Sequence, residues 1–328
     1  MAEFGLIERI RTRTAVDRAD VRVGIGDDGA VLSVPAGHDL VVSVDTLVDG
    51  VHFPARTDAA DVGWKALAVN LSDLAAMGAT PAWATLALTL PDGNGTWVDA
   101  FADGFAALAR ESKLALVGGD TTRGPLSITV AVHGFVPEGR ALLRSGARVG
   151  DRIFVTGTLG DAAAGLACLD VRHPRGAEFF NAPAGTREAL IFRLNRPTPR
   201  LAQGLELRDG ASAAIDISDG LVADLGHLCA ASGVGAVIDA SHLPASAALF
   251  ALFGESERRV LQLCGGDDYE LCFTASDLHA DALVSALSRT GGGVTCIGRI
   301  VEGAGVSVVD ENGAEIPLPR RGWDHFSA

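Results

Sequence analysis

Aspartates stand where apolar segments of this chain meet a glycine or a turn. GIGDDGAVL places Asp27 and Asp28 in a glycine-rich turn, IDISDG carries Asp216 and Asp219, and Asp120 follows LVGG. A carboxylate in such a place can reach a shared cleft while its backbone stays rigid. One such residue would be ordinary turn chemistry, but the whole set favours a functional cluster of carboxylates.

Two further aspartates lie within apolar elements. Asp45 ends the strand-like LVVSVD, and Asp73 falls beside Asn70 in the helix-like AVNLSDLAAMGA. Asp73 is the strongest single candidate for a functional aspartate. It lies on a helix that is otherwise almost wholly apolar, where a buried carboxylate without compensation is costly. We therefore expect Asp73 to be paired or bound to a metal.

Magnesium would relieve the repulsion between such carboxylates. Clustered carboxylates without cationic partners raise one another's pKa, and Mg²⁺ is usually held by a few carboxylates together with substrate phosphates. Lys65 and Lys113 are the only lysines among 27 basic residues, so arginine or a metal must neutralise any polyphosphate. No GxxxxGK[ST] sequence occurs, which excludes a P-loop enzyme. The glycine turns predicted at 117–124 and 157–161 could present N–H groups to phosphate.

The elements that carry these residues are mixed in order. Strand-like stretches cover 38–48, 83–90, 126–136 and 151–158, and helix-like stretches cover 61–78, 96–112, 161–170, 187–207 and 219–231. Consecutive strands occur as well as alternation, which predicts mixed α/β (α+β) layers rather than a simple doubly wound sheet. Asp61 could cap the first helix.

A chain of 328 residues is long enough for two domains. The polar segment 137–151 contains proline and glycine and lies between two strands, so it predicts the boundary. The expected domains are residues 1–138 and residues 149–328.

Two segments lie outside the predicted elements. Residues 171–188 are interpreted as a long surface loop or an insertion. The tail PLPRRGWDHF carries Trp323 and Phe326, which are costly to expose at a disordered end, so we expect the tail to dock.

Composition excludes several classes of protein. The formal charge of −14, without a dense basic stretch, argues against a nucleic-acid partner. No apolar run approaches the length of a membrane span, and the charged N-terminus is unlike a secretory signal. Five cysteines without a CxxC pair favour reduced thiols in a cytoplasm and argue against zinc.

The sequence resembles a known family along nearly its whole length. From about residue 4 to residue 326 it carries, in order, GIGDDGAVL, VSVDTLVDGVHF, KALAVNLSDLAAMGATPAWATLAL, GGDTTRGPLSITVAVHGFV, RSGARVGDRIFVTG, AIDISDGLVADLGHL and GGDDYELCFT. These motifs resemble the thiamine-monophosphate kinase family, within the superfamily of aminoimidazole ribonucleotide synthetase, selenophosphate synthetase and the hydrogenase maturation ATPase.

The resemblance implies a two-domain aminoimidazole ribonucleotide synthetase-like fold, whose N-terminal domain contributes strands to a β-barrel at a homodimer interface. It implies that ATP binds among several Mg²⁺ ions and phosphorylates thiamine phosphate, giving thiamine diphosphate and ADP. A cytoplasmic homodimer without a nucleic-acid or membrane partner is the expected form.

The same motifs imply roles for individual residues. The implied magnesium ligands are Asp27, Asp28, Asp45, Asp73, Asp120, Asp216 and Asp219. The implied nucleotide contacts are Ser43, Gly119, Asp120, Arg144 and Ser218, with only the backbone of Val44 able to take part. The implied thiamine-phosphate contacts are His52, Glu270 and Trp323, and the implied catalytic residues are Asp120, Arg144 and Asp219.

The chemistry agrees with these assignments. The acceptor phosphate has a second pKa of about 6, so it is largely a dianion and needs charge neutralisation more than a base. Arg144 could clamp a phosphate, Trp323 could stack on the cationic thiazolium ring, and Glu270 could balance that ring's charge. Structural alternatives stay open for two residues: His52 as a strand-end histidine bonded to backbone, and Trp323 as a hydrophobic anchor.

Two other functions stay open. A superfamily member could phosphorylate a ribonucleotide amide or selenide, although selenophosphate synthetases usually carry a reactive Cys near the N-terminus and the first cysteine here is Cys168. Hydrogenase maturation relatives end in cysteine, whereas this chain ends DHFSA. A non-catalytic metal- or nucleotide-binding scaffold is the third possibility, and the intact aspartate set argues against it.

Overall fold

The chain divides into two compact units. The structure, a computed structural model, describes residues 3–170, 172–320, 322, 323 and 326. The first unit comprises Met1–Leu74 and Ala79–Ala141, and the second comprises Ala75–Gly78 and Leu142–Ala328. The helices of the described ranges lack the length and hydropathy that a membrane span requires.

The first unit is built on a four-stranded sheet. The elements that begin in it are α1 (Glu3–Thr14), β1 (Val21–Val23), β2 (Val31–Leu32), β3 (His38–Val48), α2 (Ala59–Ala76), β4 (Thr80–Leu90), α3 (Gly95–Glu111), β5 (Ala115–Arg123) and β6 (Ser127–Pro137). The order is β3-β6-β4-β5; β4 and β5 are parallel, and the other pairs are antiparallel. β1 and β2 form a short antiparallel ribbon.

Strand β3 has two different faces, as the period of two in a strand requires. Leu40, Val42 and Val44 on one face are 43%, 56% and 59% exposed. Ser43 and Asp45 occupy the opposite face, and both are half-buried. The strand predicted over 38–48 is confirmed, and it lies at the edge of the sheet.

Glycines let α2 and α3 approach closely. A Cβ at Gly63 would lie 2.0 Å from the carbonyl oxygen of Phe101, and one at Gly104 would lie 1.8 Å from that of Ala60. α2 begins at Ala59, so the predicted cap at Asp61 is wrong, because this residue already lies within the first turn.

The second unit is built on a six-stranded sheet. Its elements are β7 (Arg152–Thr156), α4 (Asp161–Leu169), α5 (Gly176–Phe180), α6 (Thr186–Asn195), α7 (Leu201–Leu207), β8 (Ala213–Asp216), α8 (Leu221–Ser232), β9 (Gly235–Asp239), a 3-10 turn (Ala240–His242), α9 (Ala247–Leu252), α10 (Glu255–Cys264), β10 (Leu271–Ala275), α11 (Asp277–Leu287), β11 (Val294–Val301) and β12 (Gly305–Val309). The order is β12-β9-β11-β7-β10-β8.

This topology brings three loops to one end of the sheet. β10 is antiparallel to both β7 and β8. The carboxyl ends of β7 and β8 therefore lie beside the start of β10. The loops at this end are 157–160, 217–220 and 265–270.

Two predictions for this unit are wrong. The helix predicted over 187–207 is two helices, α6 and α7, because Pro197 and Pro199 lie between them and proline cannot continue a helix. The surface-loop interpretation of 171–188 is wrong because the segment contains α5; the alternative of an insertion stays open. Phe179 on that helix is fully buried, with its ring 5.1 Å from that of Phe253.

Candidate functional site

Strand β3 and helix α2 bring three predicted site residues together. The Ser43 hydroxyl donates to Asp73 Oδ2 at 2.5 Å. The backbone N–H of Asp45 donates to Asn70 Oδ1 at 3.1 Å, and the Asn70 amide donates to the carbonyl of Ala66. The expectation that Asp73 is paired is confirmed. Asp45 lies inside β3 rather than at its end, because the strand continues to Val48.

Gly119 and Asp120 lie on a strand and not in the glycine turn that the sequence predicted over 117–124, because this segment pairs with β4 as strand β5. A Cβ at Gly119 would lie 1.9 Å from the carbonyl oxygen of Leu86, so only glycine fits this pairing. Asp120 is exposed and lines a cavity of about 60 Å³ together with Ile7 and Ile10 of α1.

Asp120 and Asp45 lie on the two edge strands of one sheet. Asp45 pairs with Val130 of β6, Val130 with Leu86 of β4, and Leu86 with Gly119 of β5. Three strand spacings separate the two edges, which is about 14 Å along the sheet. The backbone of this sheet therefore does not bring the two carboxylates together on one ion.

Asp27 and Asp28 are exposed in the loop between β1 and β2. The backbone N–H of Asp28 donates to Asp27 Oδ1 at 2.9 Å, and Gly26 before them has a φ of 127°. The local turn thus holds the two carboxylates side by side, as the GIGDDG sequence predicts.

His52 is held by backbone just after β3. Its Nδ1 accepts a hydrogen bond from the N–H of Val48 at 3.0 Å. Its carbonyl accepts one from the ammonium of Lys65 at 3.1 Å, and Lys65 is buried. A neutral ring whose Nδ1 accepts carries its proton on Nε2, so the histidine presents a donor on its other side.

In the second unit, Asp216 ends β8 and is buried. Ser218 and Asp219 follow in the loop to α8, and both are half-buried. Asp224 in the first turn of α8 accepts hydrogen bonds from this loop. Burial, and next the Asp219 carboxylate, raise the pKa of Asp224 to about 7.

Glu270 is fully buried between two arginines. Its carboxylate accepts from Arg193 Nη2 at 2.9 Å and from Arg200 Nε at 2.6 Å, and from the Thr156 hydroxyl at 2.7 Å. A Cβ at Gly157 would lie 2.2 Å from Glu270 Oε1. Two guanidinium groups already compensate this charge, so Glu270 can act on a ligand only through them.

A cavity of about 470 Å³ lies beside the two arginines. Its lining includes Arg193, Arg200, Asp161 and the small side chains of Ala189 and Ala248. The Asp161 carboxylate accepts hydrogen bonds from two hydroxyl groups. The cavity therefore combines apolar walls with a few fixed polar groups, as small-molecule sites do.

Trp323 and Arg144 are both at the surface of this unit. Trp323 is 50% exposed, and its backbone N–H donates to the carbonyl of Asp219 at 2.9 Å, which confirms that the tail docks. Residues 321, 324 and 325 of the tail lie outside the described residues. Arg144 is exposed, and its carbonyl accepts from the Ser232 hydroxyl at 3.0 Å.

Comparisons with known proteins match both halves of the chain. The N-terminal domain of AIR synthase related protein matches residues 26–136, and the C-terminal domain of the same family matches residues 148–311. The thiamine-monophosphate kinase of Salmonella typhimurium (strain LT2) is 50% identical over 326 residues, which cover 99% of this chain and 98% of that protein.

The chain belongs to the thiamine-monophosphate kinase family.

Solved structures agree with this membership of the kinase family. The thiamine-monophosphate kinase of Stenotrophomonas maltophilia K279a has a TM-score of 0.86 and 53% identity, and the match covers 96% of this chain and 98% of that one. The structure of AaThiL complexed with AMPPCP and TMP has a TM-score of 0.76 and 35% identity, with 99% and 97% covered. The match to E. coli HypE, at 22% identity and a TM-score of 0.75, shows the fold alone.

The predicted magnesium ligands of this kinase-family chain are distributed over several elements. Within the described ranges, no group of three or more His, Cys, Asp or Glu side chains is arranged to hold a metal ion. In the first unit, strand β3 and helix α2 carry Ser43, Asp45 and Asp73. In the second unit, the end of β8 and the loop after it carry Asp216 and Asp219. Magnesium typically takes one or two carboxylates with phosphates and water completing its shell, so such small donor sets fit it.

Sequence reasoning missed one residue beside the Ser218 loop, Asp224, and gave no individual role to a second, Asp267 of the GGDD doublet. Asp267 has a φ of 69°, and its N–H donates to the Ser218 carbonyl at 2.8 Å. Asp224 binds the loop from the other side. A left-handed non-glycine residue is a signal that only a structure reveals, whereas the GGDD doublet was visible in the sequence.

Proposed function

We propose that this chain transfers the γ-phosphoryl group of ATP to thiamine phosphate and releases ADP and thiamine diphosphate. The observation that carries this proposal is 50% identity to a thiamine-monophosphate kinase over 99% of the chain. A related structure at 35% identity is complexed with AMPPCP and TMP, which supports the same pair of substrates here.

The reaction requires little covalent help from the protein. An oxygen of the acceptor phosphate forms a bond to the γ-phosphorus while the bond from that phosphorus to the β–γ bridging oxygen breaks. The acceptor's second pKa is about 6, so the attacking oxygen needs no base at neutral pH. The protein's task is to align two anions and to offset their repulsion.

Carboxylates of the chain would hold magnesium for this purpose. The best-defined set of candidate ligands is Asp73 of α2 and Asp45 of β3. One oxygen of Asp73 also accepts a hydrogen bond from the Ser43 hydroxyl. We propose as further magnesium ligands Asp27, Asp28, Asp120, Asp216 and Asp219. When bound, the metal ions neutralise phosphate charge.

We assign the nucleotide contacts as the sequence motifs imply them. Gly119 and Asp120 on β5, the backbone of Val44, and Ser218 beside Asp219 would contact ATP. Arg144 is exposed while its backbone is tied to Ser232, so its guanidinium is available for a bidentate contact with a phosphate. We assign catalytic roles in the transfer of the γ-phosphoryl group to Asp120, Arg144 and Asp219.

We assign thiamine phosphate to His52, Trp323 and the end of the six-stranded sheet. The Trp323 ring would stack on the thiazolium cation. Asp267 is half-buried beside the Ser218 loop, so it suits a direct contact better than the wholly buried Glu270. Glu270 instead orients Arg193 and Arg200 at the wall of the cavity.

We further propose a homodimer formed through β3. This edge strand exposes Leu40, Val42 and Val44 on one face, and an exposed apolar edge is a ready partner for another strand. Pairing with a second copy would close the β-barrel implied by the family. A Val42→Lys variant should be monomeric by light scattering; a wild-type chain that is itself a monomer contradicts the proposal.

The remaining assignments follow from this function. We place the domain limits at 1–138 and 149–328, supported by family matches that end at 136 and resume at 148. We place the enzyme in the cytoplasm, where ATP is available.

The deciding experiment is direct. Purified chain is incubated with ATP, magnesium and thiamine phosphate, and thiamine diphosphate is followed by its fluorescence after oxidation. We expect product from the wild type, almost none from Asp73→Ala or Asp120→Ala, and a raised magnesium requirement in Asp28→Asn. No product from the wild type, or product unaffected by the two alanine variants, rejects the assignment.

A further inference from the structure

One carboxylate oxygen organises the loop between β8 and α8. Asp224 Oδ2 accepts hydrogen bonds from three successive N–H groups, those of Ser218 at 3.0 Å, Asp219 at 3.0 Å and Gly220 at 3.1 Å. Asp224 itself is only 3% exposed. Burying a carboxylate is costly unless it is compensated, and three hydrogen bonds to one oxygen offset part of that cost.

Successive N–H groups that converge in this way form a nest, which elsewhere binds anions such as phosphate. Here the chain's own side chain fills the nest. A phosphate therefore cannot bind these three N–H groups while Asp224 occupies them, and the loop must act on a nucleotide through its side chains.

The carbonyl side of the loop is fixed as well. The N–H of Asp267 donates to the Ser218 carbonyl at 2.8 Å, and that of Trp323 donates to the Asp219 carbonyl at 2.9 Å. Gly220 has a φ of 123°, and a Cβ there would lie 3.0 Å from the carbonyl carbon of Cys264. Asp224 is the one side chain among the described residues whose single oxygen joins three successive N–H groups of this loop. The fourth, that of Ile217, donates to the carbonyl of Glu270.

We propose that Asp224 is a positioning residue of the phosphoryl-transfer site, which fixes the backbone from which Ser218 and Asp219 project toward the magnesium nucleotide. The proposal rests on the function assigned above to Ser218 and Asp219. Asp224 acts through the loop and touches neither substrate nor metal.

Three substitutions separate position from charge. Asp224→Asn keeps an acceptor oxygen in place but removes the charge. Asp224→Glu keeps the charge but moves the oxygen by one methylene, and Asp224→Ala removes the acceptor. The matched control is Asp310→Ala, because Asp310 also accepts from two backbone N–H groups but follows β12, the edge strand opposite β8.

We measure kcat and KM for magnesium ATP, the magnesium concentration at half-maximal rate, and amide hydrogen exchange over 218–220. Asp224→Ala should lose about 100-fold in kcat/KM, as expected for a displaced reacting group, need more magnesium and exchange these amides faster. Asp224→Asn should stay within a few-fold of the wild type, and Asp224→Glu should be less active than Asp224→Asn. Asp310→Ala should match the wild type.

Two results would overturn the proposal. One is an Asp224→Ala protein that melts earlier but keeps wild-type kinetics and magnesium dependence, since Asp224 would then serve stability alone. The other is Asp224→Glu outperforming Asp224→Asn, which would make charge the deciding property. This comparison also decides the matter if Asp224→Ala does not fold.

Failure of the proposed function would be recognised separately. If the wild type makes no thiamine diphosphate, the function is rejected, and calorimetric affinity for magnesium ATP then decides the role of Asp224. Weakened binding in Asp224→Ala, with unchanged binding in Asp310→Ala, supports it. A wild type that binds no nucleotide overturns both proposals.

Discussion

The backbone N–H of Trp323 donates a hydrogen bond to the carbonyl oxygen of Asp219 at 2.9 Å. Gly322 permits this approach, because a Cβ at that position would lie 2.6 Å from the Cβ of Ala223 and 2.9 Å from the same carbonyl oxygen. The C-terminal tail is therefore tied to the loop that carries a proposed magnesium ligand, and its half-exposed indole is held nearby.

Replacing the indole should affect one substrate only. We expect Trp323→Ala to raise KM for thiamine phosphate about 10-fold, because a cation–π contact is lost, while KM for ATP stays unchanged. The backbone bond to Asp219 survives this change, and Trp323→Phe should recover most of the affinity. Steady-state kinetics with each substrate varied test this; equal rises in both KM values would identify Trp323 as a tail anchor.

The Ser43–Asp73 pair should set the magnesium requirement. Asp73→Asn removes a charged ligand, so we expect the magnesium concentration at half-maximal rate to rise by at least about 10-fold, with a smaller rise for Ser43→Ala. Asp103→Asn on α3, where the carboxylate pairs with Arg13 at the surface, is the control. Identical magnesium titrations for Asp73→Asn and wild type would remove Asp73 from the ligand set.

The Arg193–Glu270–Arg200 triad should be sensitive to loss of its central charge. Glu270→Gln removes the buried carboxylate that two half-buried guanidinium groups share, which should lower the free energy of unfolding by about 3–5 kcal/mol. Denaturant titration measures this. Asp281→Asn, at an exposed pair with Arg152, should leave the unfolding midpoint unchanged. A small effect at Glu270 would mean that water compensates the arginines.

His133 should make the first unit less stable in mild acid. Burial lowers the pKa of His133, and its Nδ1 is buried without a hydrogen-bond partner among the described residues. Below its ordinary pKa of about 6.5 the unfolded chain binds more protons than the folded chain, so stability falls as pH falls.

We expect His133→Leu to lose the fall in unfolding midpoint that His133 contributes between about pH 7 and 5, so that its midpoint at pH 5, relative to that at pH 7, exceeds the wild-type value. The exposed His227 provides the control variant His227→Leu, which should keep the wild-type slope. A His133→Leu slope as steep as that of the wild type would assign the pH dependence to other groups.

The cysteines should differ in reactivity. Burial raises the pKa of Cys229 to about 11 and also raises the pKa of Cys168, Cys264 and Cys272, so these thiols stay protonated and unreactive. Cys296 is only partly buried. Iodoacetamide at mild alkaline pH should label Cys296 first and the others on unfolding, as peptide mass spectrometry can follow. Early labelling of Cys272 would contradict its burial.

Local patterns determined much of the fold. The strand-like stretch 126–136 and the helix-like stretch 61–78 predicted β6 and α2 because strand and helix periods depend only on neighbouring residues. The same reasoning failed where long-range contacts decide. Gly119 belongs to a strand because β4 pairs with it. Phe179 is buried because its ring packs against that of Phe253. Neither partner is near in sequence.

The ordered motifs alone identified the family and its chemistry, since reactive residue types and their spacing are written in the chain. The tertiary structure decided which of those residues have their charge already compensated. Glu270 is enclosed by Arg193 and Arg200, and Asp224 is drawn into a ring of backbone N–H groups. Burial and hydrogen-bond partners fix these roles. The arginine partners of Glu270 lie 77 and 70 residues away in the sequence and reach it only when the chain has folded. The N–H partners of Asp224 are local, and the tertiary structure decides its burial.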